Sequence, residues 1–353
     1  MSFVAAVAKI DLPHKVSQQE VKHQALEMFE ADFPQVHRLI QAFDNTEIIS
    51  RNFVKPLHYY KEATTFEQRN DEYIKCALLY SIQAIAQVIV KAGIDKFDIT
   101  DIIFVSTTGL STPGLDARII NAMQLNPHIN RMPLWGLGCA GGVSGMAKAH
   151  AVAKANPDAV ILLVAVELCS LTLIKNDYSK SNFIGSSLFS DGIAACIIKG
   201  KHHKPTSGKV QFITASSKLY YDSLDVMGWQ FQDNGFKVVF SKDIPTFINE
   251  HITGDIDAFL SSQGLIMADI KNFIFHPGGK KVLEAYTDAL RVSGDFLKNT
   301  RETMNSYGNM SSATVLYVLD KFMSNGYENG YGLMLAMGPG FSSEMVLFKM
   351  TNV

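Results

Sequence analysis

Three short stretches of this chain carry side chains able to do covalent chemistry. The first is Trp135–Gly136–Leu137–Gly138–Cys139–Ala140–Gly141–Gly142–Val143–Ser144–Gly145, a cysteine among five glycines, followed by the helix-forming run from Met146 to Lys154. Glycines ahead of a helix and just inside it permit a tight turn and close backbone approach. Cys139 is thereby set at or beside a helix N-terminus, where the dipole and free N–H groups favour the thiolate, its nucleophilic form. The plain alternative is a buried cysteine packed among small residues. The second stretch, Phe275–His276–Pro277–Gly278–Gly279, puts a histidine at a strand end before a turn. As imidazolium it would hold a thiolate in an ion pair, and as a donor it would stabilise an oxyanion. The third, Tyr307–Gly308–Asn309–Met310–Ser311–Ser312–Ala313, offers an amide that donates hydrogen bonds and takes up no proton. An asparagine ahead of a helical run also suits an N-cap.

The elements that must position these residues recur in one order. After a first strand within residues 1–10, helices are expected over 17–29, 33–43 and 67–93, the last stopped by Gly93. Asp101–Ser106 reads as a buried strand, Thr107–Thr108–Gly109 as a turn and Gly114–Met123 as a helix. The Cys139 turn and its helix follow, then the strand Ala159–Val166. The C-terminal part repeats this: strand Lys271–Phe275, the His276 turn, helix Lys280–Leu290, the Asn309 turn, a helix to Phe322 and strand Gly332–Met337. The repeat predicts two similar halves, each a sheet covered by helices. Asn309 then answers to Cys139, His276 answers to the Thr107–Thr108 turn, and the four turns converge on a pocket between the halves. The first half, 1–204, holds the cysteine; the second, 205–353, holds the histidine and asparagine; and Lys199–Gly208 is the surface connection.

Composition excludes several classes. With 353 residues, 47% of them hydrophobic, the chain can bury a large core as two domains or one large α/β unit. Its 34 acidic and 32 basic residues give no bulk charge to draw a nucleic acid. Cys76, Cys139, Cys169 and Cys196 lack metal-ligand spacing and suit a reducing compartment, without disulfide or zinc site. The N-terminus lacks a basic leader, and the longest apolar run, Ala159–Val166, is far short of the ~20 residues of a membrane helix. A soluble, cytoplasmic protein without a membrane span is expected.

With Gly338–Pro339–Gly340 as a fourth marker, the three motifs and the intervals between positions 139, 276 and 309 resemble those of the type III polyketide synthases, the chalcone-synthase-like enzymes. The resemblance spans essentially the whole chain. It implies an α/β, thiolase-like fold of two pseudo-equivalent halves, each a mixed sheet covered by helices, in five α-β-α-β-α layers. It also implies a homodimer that works on CoA thioesters with no metal or organic cofactor. In that family's chemistry Cys139 carries the acyl group, while His276 and Asn309 stabilise the enolate left when malonyl-CoA loses carbon dioxide. Phe189 matches a gatekeeping phenylalanine. The second gatekeeper aligns, without gaps back from Lys242–Asp243–Ile244–Pro245, with Val238, which implies a wider entrance.

Cys169 stands where plant members place a cavity threonine, and Thr112 where they place a methionine that reaches the neighbouring subunit. Thr107, Thr108, Ser311 and Gly338–Pro339–Gly340 also map to the cavity. No basic residue occupies the family's carrier-binding places, so Arg38, Arg51, Lys55 and Lys280 are the substitutes by charge, each as well suited to be a solvated surface cation. The starter would arrive on CoA or on an acyl-carrier protein. The Cys169 context is that of the bacterial-type branch and, with Val238, leads us to expect an alkylpyrone or alkylresorcinol from a fatty-acyl starter. Tetrahydroxynaphthalene from malonyl-CoA alone is the alternative. A more distant one is a ketoacyl-acyl-carrier-protein synthase of the initiating class, which reads His-Gln-Ala-Asn and Gly-Asn-Thr-Ser at the corresponding motifs. A non-catalytic partner subunit would lack the cysteine.

Overall fold

The structure, a computed structural model, describes residues 2–62, 64–203, 210–241, 243–292 and 295–350. In chain order the first half contains β1 (Ser2–Lys9), β2 (His14–Ser17), α1 (Gln18–Phe29), α2 (Val36–Leu39), α3 (Gln41–Asp44), β3 (Ser50–Phe53), α4 (Phe66–Ala92), β4 (Asp101–Ser106), α5 (Leu115–Met123), β5 (Asn130–Trp135), α6 (Gly141–Ala155), β6 (Val160–Leu168), α7 (Lys180–Leu188) and β7 (Asp191–Gly200). The second contains β8 (Val210–Leu219), β9 (Met227–Gln232), β10 (Gly235–Phe240), α8 (Ile244–Ser261), β11 (Ile270–Phe275), α9 (Lys280–Leu290), α10 (Lys298–Tyr307), α11 (Thr314–Asn325), β12 (Gly330–Gly338) and β13 (Ser342–Met350). The division expected between 204 and 205 lies outside the described residues.

The duplication is explicit in the strand pairing. In the first half the order is β5-β4-β6-β7-β1: β4 runs parallel to β5 and β6, and the β6–β7 and β7–β1 pairs are antiparallel. In the second half β11-β12-β13-β8 repeats this as one parallel pair followed by two antiparallel pairs. Among the described residues the two sheets join edge to edge, into one run of nine strands, where Ser2 pairs with Phe212 and Phe3 with Gln211. Three cores make the five layers. One lies between the sheets, where α6 and α11 pack. The others lie outside, beneath α4 and α5 on one side and beneath α8 and α9 on the other. Strand β6 is buried at all nine positions, and its unbroken Val-Ile-Leu-Leu-Val-Ala-Val run is what a strand covered on both faces requires.

Local signals fix the helices around this frame. Helix α4 starts at a capping box between Thr65 and Gln68 and ends at Gly93, whose φ of 60° is left-handed. It is long and apolar enough to cross a membrane by composition, but its Tyr73, Ala77, Ala84, Ile85 and Val88 stripe is buried in the core it shares with β6 and β7, which accounts for its hydropathy. The helix expected over 33–43 is instead two short ones, α2 and α3.

The central helices approach each other closely because α6 begins with glycine. A Cβ on Gly142 would run into the Ser312 carbonyl oxygen and stand 2.5 Å from Val315 Cγ1. We therefore expect Gly142→Ala to lower the unfolding free energy by about 3 kcal/mol, read as a reduced denaturant midpoint. Gly254→Ala, in the exposed middle of α8 with nothing within 4 Å of the added carbon, should raise it by up to about 1 kcal/mol.

Candidate active site

Each half contributes the turn after a parallel strand and the turn before a central helix. Cys139 sits in a single turn of 3-10 helix, Gly138–Ala140, that runs directly into α6. Gly138 has φ 46°, and its N–H donates to Thr107 Oγ1 at 3.0 Å, joining this turn to the one after β4. The loop after β12 closes over it: a Cβ on Gly338 would run into the Leu137 carbonyl oxygen and stand 2.6 Å from Ala140 Cβ, so glycine is required there. From the second half, Ser311 approaches with its Oγ 3.8 Å from Cys139 Sγ.

Asn309 is held by both its backbone and its amide. Its N–H donates to Leu188 O (3.0 Å), and its carbonyl accepts from Ser190 N–H (2.9 Å), zipping it to the segment around Phe189. Nδ2 donates to Gly278 O (2.7 Å) and Oδ1 accepts from Ser311 N–H (2.8 Å), which ties the His276 turn to the start of α11. The amide also acts on the Cys139 thiol, lowering its pKa against the dominant effect of burial. Asn309 is therefore not the N-cap expected, since Met310 precedes the 3-10 turn Ser311–Ala313 and Ala313 precedes α11, and its amide acts on the thiol instead. His276 follows β11 with its backbone N–H on Leu335 O at 2.8 Å, and neither ring nitrogen finds a partner among the described residues.

Burial dominates the electrostatics. It pushes the Cys139 thiol up to about 12, with the nearby Glu167 charge adding to the rise and Ser311 and Asn309 opposing it. It pulls the His276 imidazole down to about 3. Each group alone thus resists its charged form. A proton passed from thiol to imidazole would create both charges together, and their attraction in a low dielectric offsets part of that cost.

The chamber in front of Cys139 collects most of the residues expected from the sequence: Thr107, Thr108, Cys169, Phe189, Val238, Ser311 and Pro339 all line it. Gly338 shapes it from behind, and Gly340 lies farther along the loop, its carbonyl accepting from Ser223 Oγ at 3.3 Å. Burial drives the Cys169 thiol well above the ordinary range, as befits a wall residue. Sequence reasoning missed the β9–β10 hairpin, which supplies Met227, Trp229 and Phe240. Trp229 Nε1 donates to Thr107 O at 3.0 Å, and the signal was the alternation of large apolar residues from 227 to 240. It also missed Glu167, treated below.

Two expectations are corrected. Val238 does not leave the entrance open. Phe240, two residues on and on the same face of β10, stacks on Phe189 with ring centroids 5.7 Å apart and planes at 28°. Val238 instead opens the chamber sideways into a second cavity between α1 and α7, about 80 Å³ against about 30 Å³ for the chamber itself. The cations also distribute differently from the surface patch expected. Arg51 is 1% exposed, shut in behind Phe189 and away from any carrier at the surface. Lys55 pairs with Glu72, and Arg38 is exposed on α2. Only Lys280 lines the open groove beside Gly278 and Gly279, paired with Glu47 at 3.0 Å, and Lys180 and Lys281 join it there. Phe240 forms part of both this groove and the Cys139 chamber.

Duplicated halves that pool their turns around one cysteine are the architecture of the thiolase-like acyltransferases, and this fold is of that class. The family model for the N-terminal domain of chalcone and stilbene synthases matches residues 44–202, and that for their C-terminal domain matches 211–352. A putative chalcone synthase of Bacillus subtilis (strain 168) is 42% identical over 99% of both chains. A 1,3,6,8-tetrahydroxynaphthalene synthase of Streptomyces peucetius subsp. caesius is 33% identical over 98% of this chain and 92% of its own. The crystal structure of 1,3,6,8-tetrahydroxynaphthalene synthase from Streptomyces coelicolor A3(2), a bacterial type III polyketide synthase, superposes with a TM-score of 0.94 over 99% of this chain and 100% of that one, at 28% identity. The chain belongs to the chalcone and stilbene synthase family, the type III polyketide synthases.

The opposed shifts of thiol and imidazole give a test of their pairing. In a His276→Ala protein burial, with Glu167 adding to it and Ser311 and Asn309 opposing it, governs the thiol, and iodoacetamide should modify Cys139 only above about pH 9. If the imidazole accepts the proton in the native protein, modification should begin at lower pH. Identical profiles would show that His276 takes no proton from Cys139.

Proposed function

We propose that this type III polyketide synthase extends an acyl chain held on Cys139, with malonyl-CoA as extender, and closes an alkylpyrone or alkylresorcinol. The Cys139 thiolate attacks the starter thioester, and the carrier thiol leaves with the proton held by His276. Malonyl-CoA then loses carbon dioxide, and donors from His276 and Asn309 hold the enolate oxygen. The enolate carbon attacks the acyl-Cys139 carbonyl and the thiolate departs, so the chain is two carbons longer and back on CoA. The cycle asks for thioesters alone, without metal or organic cofactor. A reducing, cytoplasmic setting suits its four free cysteines.

The single observation that carries the choice of starter is the side cavity. It leaves the chamber past Cys169, Phe189, Trp229 and Val238, and its far walls include Val21, Ala25, Met28, Leu57 and Leu173, all apolar. Such a space fits an alkyl chain attached to Cys139. The groove behind Phe240 is the matching entrance for a carrier arm, with Lys180, Lys280 and Lys281 placed for phosphate, whether of CoA or of a carrier protein. A homodimer is favoured by the sheet edge at β5, where exposed Trp135 stacks on Phe231 with ring centroids 5.8 Å apart. Tetrahydroxynaphthalene formation from malonyl-CoA alone is the second reading, favoured by the relatives that carry that name.

The test is to incubate the protein with malonyl-CoA, alone and with starters from acetyl- to palmitoyl-CoA, and to identify products by mass spectrometry. Long-chain pyrones or resorcinols that vanish with Cys139→Ala are expected, and a naphthol from malonyl-CoA alone would overturn the starter assignment. Val238→Phe should cut kcat/KM for long starters by about tenfold or more relative to acetyl-CoA. Replacing Lys280 and Lys281 by alanine should raise KM for malonyl-CoA more than it lowers kcat, with a weaker salt dependence.

A further inference from the structure

The side cavity has polar side chains in its wall, and nearly all of them have spent their hydrogen-bond protons on the protein itself. Ser170 Oγ donates to Asp191 Oδ2 at 2.6 Å, so the Tyr60 hydroxyl, 2.6 Å from Ser170 Oγ, is the donor of that pair. Thr172 Oγ1 donates to Cys169 O and Ser186 Oγ to Phe183 O, each at 2.7 Å. Both amide protons of Asn182 are taken, by Ile174 O at 2.9 Å and Asp177 O at 2.8 Å. The indole N–H of Trp229 is on Thr107 O. Arg51 gives Nη1 to Ser186 O and Phe189 O, while its Nε and Nη2 lie under the rings of Phe43 and Phe53 without accessible surface. The donor left over is the second N–H of Gln24, in the far wall on α1, whose first goes to Leu57 O at 3.2 Å. The Cys169 thiol is a weak donor at most.

The chamber differs. Thr107 Oγ1 and Ser311 Oγ accept, from Gly138 N–H and from the Cys139 thiol, and neither hydroxyl proton has an acceptor among the described residues. A hydroxyl that has given its proton away still offers a lone pair. The wall of the side cavity is therefore indifferent to methylene groups and able to receive the proton of an alcohol. A ketone carried into it loses its water and finds no donor in exchange, which is costly.

We propose that the side cavity sorts chains by hydrogen-bond polarity, taking alkyl and hydroxyalkyl segments and turning away segments that bear a ketone. The inference rests on the reading above that the chain on Cys139 runs into this cavity, and it assigns the parts of that chain. The tail of the starter lies in the side cavity. The carbonyls added by extension stay in the chamber, where Thr107 and Ser311 have protons to give, so the carbons that must cyclise are kept in one space.

The test measures loading of Cys139 in the absence of malonyl-CoA. Dodecanoyl-CoA competes in equal amount with the same chain carrying a hydroxyl or an oxo group at carbon 7 or 9, and mass spectrometry reads the acyl group captured. The alkyl and hydroxyl chains should load within about threefold of each other, and the oxo chains about tenfold or more behind. Butyryl- and acetoacetyl-CoA, whose ketone stays beside Cys139, should differ by no more than about threefold. Met28→Gln puts an N–H donor into the far wall and should narrow the deficit of the oxo chains, with dodecanoyl loading as the check on folding. With malonyl-CoA present, acetyl and palmitoyl starters should receive the same number of extensions, because an empty side cavity is no room for ketones.

The native competition needs no variant to fold. Oxo chains that load as well as dodecanoyl, a penalty as large on acetoacetyl as on the oxo chains, or longer extension from acetyl than from palmitoyl would each overturn the sorting and leave the fatty-acyl reading standing. No dodecanoyl on Cys139 where acetyl loads would overturn that reading, and the sorting with it.

Discussion

Glu167 is wholly buried at the end of β6, and the donors around it come from elements that the site cannot do without. Oε2 accepts from Thr107 N–H at 3.1 Å and from Thr108 Oγ1 at 3.0 Å, in the turn after β4. Oε1 accepts from Ser312 Oγ, in the turn that leads Asn309 into α11. One carboxyl group thus joins the halves at the level of the chemistry. Burial lifts it to about 7 despite these donors, so it is held near balance between its two forms at neutral pH. Its residual charge acts on both Cys139 and Cys169 and makes their thiolates harder to form. The group that orders the chamber therefore also creates the need for a compensating cation beside Cys139. Neither ring nitrogen of His276 has a partner among the described residues, and burial holds its imidazole down to about 3.

The duplicated fold explains why so few residues suffice. Parallel strands β4 and β11 end at the same level of the two sheets' repeat, and the central helices α6 and α11 begin there. Each half consequently delivers one strand-end turn and one helix-start turn to a common point. Glycine at the start of α6 lets Ser312 and Val315 come within contact of its backbone. The turns close on one another through buried side chains, Thr107 Oγ1 on Gly138 N–H and Glu167 between Thr107, Thr108 and Ser312. That burial shifts the thiol and imidazole in opposite directions.

What could be read from the sequence was what is encoded locally. The Cys139, His276 and Asn309 turns are marked by glycine and proline at positions where backbone geometry demands them, so their place at strand ends and helix starts was legible. So was the repeat that places Asn309 opposite Cys139. Features set by packing between distant segments were not. Arg51 looked like any surface cation, because its burial depends on α7 and β3 folding against each other across more than a hundred residues. Val238 was placed correctly in the wall, but the ring that meets Phe189 is that of Phe240. The face of β10 is fixed by its register with β9, where Val238 pairs with Trp229 and Phe240 with Met227, and a gapless count along the chain carries no knowledge of that pairing. The lysines of the groove come from α7 and α9, which no local pattern connects.

That register divides two tasks between residues on one face of a single strand. Phe240 stands between the open groove and the chamber, lining both and stacked on Phe189. Val238, one pleat earlier, removes the bulk that would seal the chamber from the side cavity. A phenylalanine at 238 and a small residue at 240 would reverse both properties, closing the cavity and opening the groove. The position of the aromatic ring along β10 therefore decides whether free volume serves the incoming carrier or the bound chain. Here the ring stands at 240, and the side cavity next to Val238, about 80 Å³, exceeds the chamber in front of Cys139, about 30 Å³.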